Sequence, residues 1–183
     1  MQEQGLTHAR RGAGVFVLAE PTDYPIGKRV RFHQNLKAAG RMPAKRVLTL
    51  QTRPCDKEEA AALQIEPGDP MHVYEGLSLA DNVAVAIFRS VFSAERFPGL
   101  LNEFDQLQSV TRALAAAGVK DYTRASTRLT AKLATATQAL QLNIAEGAPI
   151  LRTVGINVDP DGCPVEYGHT WFVGDRITLV VEG

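Results

Sequence analysis

The feature that most constrains how this chain can fold is an internal repeat. Residues 56–75, DKEEAAALQIEPGDPMHVYE, align with residues 135–154, TATQALQLNIAEGAPILRTV. Leu63, Ile65, Gly68 and Pro70 match Leu142, Ile144, Gly147 and Pro149, each 79 positions on. Each copy reads as a short helix ending at Leu-x-Ile, a glycine turn, a proline and then a strand. Asp81-Asn82 in one copy and Asp161-Gly162 in the other mark turns into return strands, expected over 83–92 and 163–172. Asp-Gly between strand-like runs is a strong hairpin signal.

Between the copies, residues 106–117 read as a helix stopped by Gly118, followed by an alternating strand from Tyr122 to Lys132. A last strand is expected over Ile177–Val181, and a short helix over 31–39, closed by Gly40 and Pro43. Before these, residues 5–20 read as a hairpin turning at Gly12 and Gly14. Pro21, Pro25 and Gly27 then mark a linker. Five or six strands with local hairpins predict an α+β fold, an antiparallel β-sheet with helices packed on it. A duplicated half-domain often builds a ligand cleft at its seam, although a repeat can equally do no more than define the fold.

The chain has 183 residues, 45% hydrophobic and 22% charged, enough to bury a core without disulfides or metal. Twenty basic residues balance twenty acidic ones, so the basic excess of a domain that grips DNA phosphates is absent. Arg10, Arg11, Lys28, Arg29 and Arg31 do gather near the N-terminus. Cys55 and Cys163 stand alone, without zinc-ligand spacing, and fit free thiols in a reducing cytoplasm. No apolar run approaches the ~20 residues of a membrane span, and no signal peptide is legible.

Catalytic motifs are missing: no GxSxG elbow, no P-loop, no dinucleotide fingerprint. No cofactor is implied. His8, His33, His72 and His169 keep no ligand spacing; His72 and His169 fall on expected strands and read either as cleft residues or as satisfied strand histidines. The strand PVEYGHTWF places Glu166, Gly168, Thr170 and Phe172 on one face. A carboxylate among such neighbours needs a partner, either an internal arginine or a ligand hydroxyl or amine. Strict alternation along YTRASTRLTAK would set Arg124, Ser126 and Arg128 on one face. That face suits an oxyanion, which guanidinium binds bidentately, or else is a solvated strand face. Arg89 and Ser90 hold a comparable place in the first half, and Arg31 with Asn35 would share a helix face. Lys57, Glu58 and Glu59 read as a solvated first helical turn whose carboxylates suit the helix dipole.

Three stretches together resemble a known family: the paired Leu-x-Ile-x-x-Gly-x-Pro segments, FSAERFPGLL at 92–101 and GCPVEYGHTWFVGDR at 162–176. From about residue 25 onward the chain resembles the UTRA domain, the effector-binding half of HutC-subgroup, GntR-type transcription regulators. RFHQNL at 31–36 and STRLTAK at 126–132 resemble segments of regulators of phosphonate utilisation. GLTHARRGAGVFV resembles the wing of the winged helix that precedes this domain, so residues 1–24 are expected to be wing remnant and linker and 25–183 the effector domain.

The resemblance implies a chorismate-lyase-like fold, a homodimer, and a small anionic metabolite as partner, phosphonate or phosphate in kind. Operator DNA would be reached only through a winged helix whose recognition helix this chain lacks. It also implies two strand arginines in sugar-phosphate sensors where this chain has Gly76 and Ser78, and a carboxylate where it has Phe88. The second-half carboxylate is kept as Glu166, while the aromatic hydroxyl after it is Phe172. These departures favour a smaller or differently presented anion held by Arg31, Arg89, Arg124 or Arg128. The alternatives are a chorismate-lyase-like enzyme using Glu166 as its acid, and a dimerisation module without ligand.

Overall fold

The computed structural model of the chain describes residues 7–9, 15–17, 20–29 and 31–181. The expected N-terminal hairpin is present as β1 (Thr7–Ala9) paired antiparallel with β2 (Val15–Val17). Its glycine turn, with Arg10 and Arg11, lies outside the described residues. The expected linker contains a strand, β3 (Thr22–Pro25), which pairs in parallel with the last strand.

The body is built from two copies of one unit. The first consists of β4 (Pro43–Pro54), α2 (Lys57–Leu63), β5 (Pro70–Ala80) and β6 (Val83–Ser93), preceded by α1 (Phe32–Ala38). Next come α3 (Leu100–Leu107) and α4 (Val110–Ala116). The second copy is β7 (Thr123–Leu133), α5 (Ala136–Leu142), β8 (Pro149–Val158) and β9 (Pro164–Val173), with β10 (Ile177–Val180) at the end. One six-stranded antiparallel sheet, ordered β4-β5-β6-β9-β8-β7, carries both copies, joined at β6 and β9. The expected fold class is therefore the observed one.

Local chemistry repeats with the backbone. Asp56 caps α2 and Thr135 caps α5, each in a reciprocal box with the residue three on, Glu59 or Gln138. Both helices end in a left-handed residue, Gln64 (φ 57°) and Asn143 (φ 53°). Ile65 then donates its N–H to the Ala60 carbonyl, as Ile144 does to that of Ala139. The first hairpin turns on Asp81 and Asn82, both at positive φ, which is the geometry two-residue hairpins favour. The expected single helix over 106–117 is instead two. Gln108 turns left-handed to end α3, and the Ser109 hydroxyl caps α4 by accepting from the Arg112 N–H.

Both sheet faces are covered. On one, α2 and α5 seat their apolar sides against Met71, Val73 and Val91, and against Leu77, Ile87 and Ile150, respectively. The other face divides. Over the first copy, Tyr74, Phe88 and Phe92 pack against Phe97, Leu100, Phe104 and Leu114 of the α3–α4 segment, with Tyr74 stacked on Phe104 at 4.4 Å. Over the second copy the packing opens. Leu36 of α1 joins Tyr24 and Phe172 in a separate cluster, and a cavity remains between the clusters.

Candidate functional site

The cavity measures about 380 Å³. Its floor is the sheet: Lys45, Ser78, Phe88, Ser90, Thr153, Asn157, Glu166, Thr170 and Phe172, with Arg124 at one edge. Its walls come from Tyr24 and Ile26, from Arg31 to Gln34 with Lys37, and from the Ser109–Arg112 segment with Tyr122. Strand alternation accounts for the floor. Ser90 stands opposite Gly168, Phe88 opposite Thr170 and Asn157 opposite Glu166, so their side chains rise from the same face.

Glu166 is 8% exposed, and the partner its burial demanded is not an arginine. One carboxylate oxygen accepts from the Ser90 hydroxyl at 2.5 Å and the other from the Asn157 amide at 2.6 Å. The Asn157 amide oxygen in turn accepts from Arg124 Nε at 2.9 Å, and Arg124 Nη1 donates to Thr127 at 3.2 Å. The guanidinium lies across Gly155, where a Cβ would sit 3.2 Å from its Cδ and Nη1, so glycine makes room for it. Arg31 is 17% exposed and stacks over Tyr122, 5.2 Å from the ring centroid, with Asp121 at 3.3 Å. Tyr122 shares a hydrogen bond with Thr111, and burial, reinforced by the Glu166 charge, pushes its phenol up to about 12.

Lys45 enters from the other side. Its Nζ lies 3.7 Å from the Phe88 ring centroid, with Tyr74 and Phe32 at 5.2 and 5.7 Å. Burial lowers its ammonium to about 8, against the opposing pull of Glu166. His33 is held below its ordinary value by burial and then by Lys45, Lys37 and Arg112, as expected where cations converge. Five cationic side chains line the cavity against one carboxylate, so its lining carries an excess of positive charge.

Of the residues singled out from sequence, Arg31, Ser90, Arg124, Glu166 and Phe172 meet in this cavity. Asn35 does not line it; its amide donates to the Pro25 carbonyl at 3.0 Å and ties α1 to β3. Arg89 lies on the opposite sheet face, beside His169, and donates to Glu59 at 2.9 Å. The expectation that Arg124, Ser126 and Arg128 share a face is overturned by a β-bulge. Arg124 pairs with Asn157 and Ser126 with Ile156, leaving Ala125 as the extra residue. One inserted residue flips every later side chain, so Thr127 and Leu129 follow Arg124 while Ser126 and Arg128 turn away.

The solvated reading holds for Lys57 and Glu58, which are exposed, and needs correction for Glu59. Glu59 is 5% exposed and accepts from Arg53 at 2.7 and 2.9 Å as well as from Arg89. Burial alone would raise its carboxyl, but the bonds from Arg53 and the Asp56 backbone outweigh it and the pKa falls. Glu58 accepts from the Tyr167 hydroxyl at 2.6 Å. His72 is a satisfied strand histidine, bonded to Thr52 and the Phe97 carbonyl, and His169 stacks on Trp171 away from the cavity.

Sequence reasoning missed Lys45, Tyr24, Tyr122, Thr153 and Asn157. A usable signal existed for one of them: Lys45 and Arg124 are exactly one repeat apart. The structure pairs them with Ser78 and Asn157, also one repeat apart.

The sequence profile of the UTRA domain matches residues 38–178. The chain belongs to the UTRA family. It is 36% identical, over its whole length and 75% of the relative's, to an HTH-type transcriptional regulator of Rhizobium meliloti. It is 30% identical to the transcriptional regulator PhnF of Escherichia coli, over 98% of this chain and 75% of that one. Among solved structures, PhnF from Mycobacterium smegmatis shares the fold with a TM-score of 0.84 at 23% identity, over 98% of this chain and 78% of that one. The UTRA domain thus places this chain among transcriptional regulators and not among enzymes. Among its described residues no helix is long and apolar enough to cross a membrane.

Proposed function

We propose that this UTRA domain senses a small phosphonate or phosphate-containing metabolite and passes its occupancy to a DNA-binding winged helix. The observation that carries the reading is the convergence of Arg31, Lys45 and Arg124, drawn from three separate segments, on one cavity of metabolite size. Guanidinium groups bind tetrahedral oxyanions through paired N–H donors, and a pocket that excludes water strengthens each bond. RFHQNL contributes Arg31, Phe32, His33 and Gln34 to the wall, which supports an effector of the kind read by the phosphonate regulators that segment resembles. In this reading the domain works in the cytoplasm as a homodimer, controls phosphonate uptake or metabolism, and meets operator DNA only through the winged helix. Residues 1–24 then act as wing and linker, and the effector shifts the equilibrium between two arrangements of the DNA-binding heads.

Thermal unfolding with a panel of phosphonates, phosphate esters, sugar phosphates and dicarboxylates tests it. A ligand at about 100 times its Kd adds ~2.7 kcal/mol and raises the midpoint by several degrees. A shift confined to phosphonates and phosphate esters is expected. A shift with dicarboxylates alone would discard the phosphonate reading, and no shift with any anion would discard anion sensing.

A further inference from the structure

Among the described residues Lys45 meets only ring faces. Its ammonium makes no hydrogen bond and no ion pair among the described residues, yet it lines the cavity against the ring of Phe88. Arg124, its counterpart in the repeat, is fixed by Asn157 and Thr127. Arg31 stands against the Tyr122 ring on the same cavity. Two permanent cations are therefore already positioned for an anionic group. The third side chain is an amine set against ring faces and able to give up its proton. Burial favours the neutral amine, as it does for lysines that attack carbonyl carbon, and outweighs the pull of the Phe88 ring face toward the ammonium. The charged groups near it are Glu166, which favours the ammonium, and His33, which Lys45 itself disfavours from protonating. Glu166 has one bond to each oxygen and keeps lone pairs free to take a proton.

We propose that Lys45 binds the effector covalently and reversibly, as an imine with an aldehyde that also carries a phosphonate or phosphate held by Arg31 and Arg124. The inference rests on the anion-sensing reading above. The neutral Nζ attacks the carbonyl carbon, forming the C–N bond as the C=O π bond breaks. The oxygen takes up a proton from water and the nitrogen gives one to Glu166. Return of that proton lets the carbinolamine lose water, leaving C=N. No oxidant or reductant is needed, and hydrolysis releases the unchanged ligand, as a sensor requires.

The test treats the 183-residue chain with 2-oxoethylphosphonate and then borohydride, and maps the reduced adduct by mass spectrometry. Label on Lys45 in preference to the other lysines is expected, with yield rising as pH passes through about 8. The label should be lost in Lys45→Arg, which keeps the charge and cannot form the imine. Thermal shift with 2-hydroxyethylphosphonate runs alongside. No label on Lys45, or equal label in Lys45→Arg, overturns the proposal. In that case a shift with the alcohol leaves anion sensing standing, and no shift removes both. Equal labelling of Lys45 by neutral glycolaldehyde, with no shift from the alcohol, would keep the imine and discard the anion. The site mapping needs no variant, so it holds even if Lys45→Arg folds poorly.

Discussion

The two copies of the repeat share a backbone and differ in how they use the same sheet face. At positions one hairpin register apart, the first copy places Phe88 where the second has Gly168, and Ala86 where the second has Glu166. The first copy thus presents large rings, and α3 and α4 close over them as core. The second presents glycine, carboxylate and amide, which cannot be buried under an apolar helix without unpaired polar groups, and a cavity results. Duplication supplies a symmetric frame, and asymmetric side chains close part of the first half as core and leave the site at the seam, where Lys45, Ser78, Phe88 and Ser90 of the first copy meet the second. The six aligned strands tolerate this because sheet pairing depends on the backbone and on alternation, while the covering layer depends on side-chain chemistry.

If that division is right, the largest effect should come from the filled half. Phe104→Ala removes a fully buried ring stacked on Tyr74 and should cost about 3–5 kcal/mol in urea unfolding, while the surviving folded protein keeps its anion response. The glycine pair gives a sharper contrast. A Cβ at Gly76 would meet the Arg46 carbonyl at 2.3 Å, so Gly76→Ala should destabilise by about 1–3 kcal/mol. Gly155→Ala meets Arg124 and the Ser126 carbonyl at 3.2 Å, so it should cost less stability but weaken anion binding by displacing the guanidinium. Equal losses of stability, with binding intact, would break the comparison.

Arg124→Met should weaken binding of a phosphonate by ~1.5–3 kcal/mol in calorimetry, the worth of a charge-assisted bond, and cost about 1–3 kcal/mol of stability because the buried Asn157 amide oxygen loses its donor. A pH effect follows from Lys45. Its folded value is depressed to about 8, so between about pH 8 and its ordinary value near 10.5 the unfolded chain holds more protons. Stability from this group should therefore rise with pH across that window, until tyrosine ionisation opposes it near pH 10. The raised phenols of Tyr24, Tyr74 and Tyr122 give that later fall. Lys45→Met should flatten the rise in unfolding experiments run at stepped pH, and an unchanged slope would assign it elsewhere. The smallest effect is at the caps. Thr135→Ala should cost about 1 kcal/mol by loss of the α5 box. Asp56→Ala should cost at least as much, because its partner Glu59 also holds Arg53 and Arg89.

The sequence alone determined the repeat, the hairpins and their turns, because these depend on contacts within a few residues: capping boxes, a Gly at positive φ, and strand alternation. Gly68 and Gly147, with φ of 94° and 76°, stand where the repeat placed turns. Sequence also singled out Glu166 and Arg31, the first as a carboxylate within a half-apolar strand and the second as an arginine expected to share a helix face with Asn35. Only the tertiary structure decided which arginines meet. A single extra residue at Ala125 separated Arg124 from Ser126 and Arg128, and nothing local announces a bulge that the partner strand imposes. The break at Gln108 and Ser109, the burial of Glu59 under two arginines, and the arrival of Lys45 opposite Arg124 depend likewise on elements distant in the chain. Local geometry is encoded residue by residue, whereas a cavity is the space that several such elements leave between them.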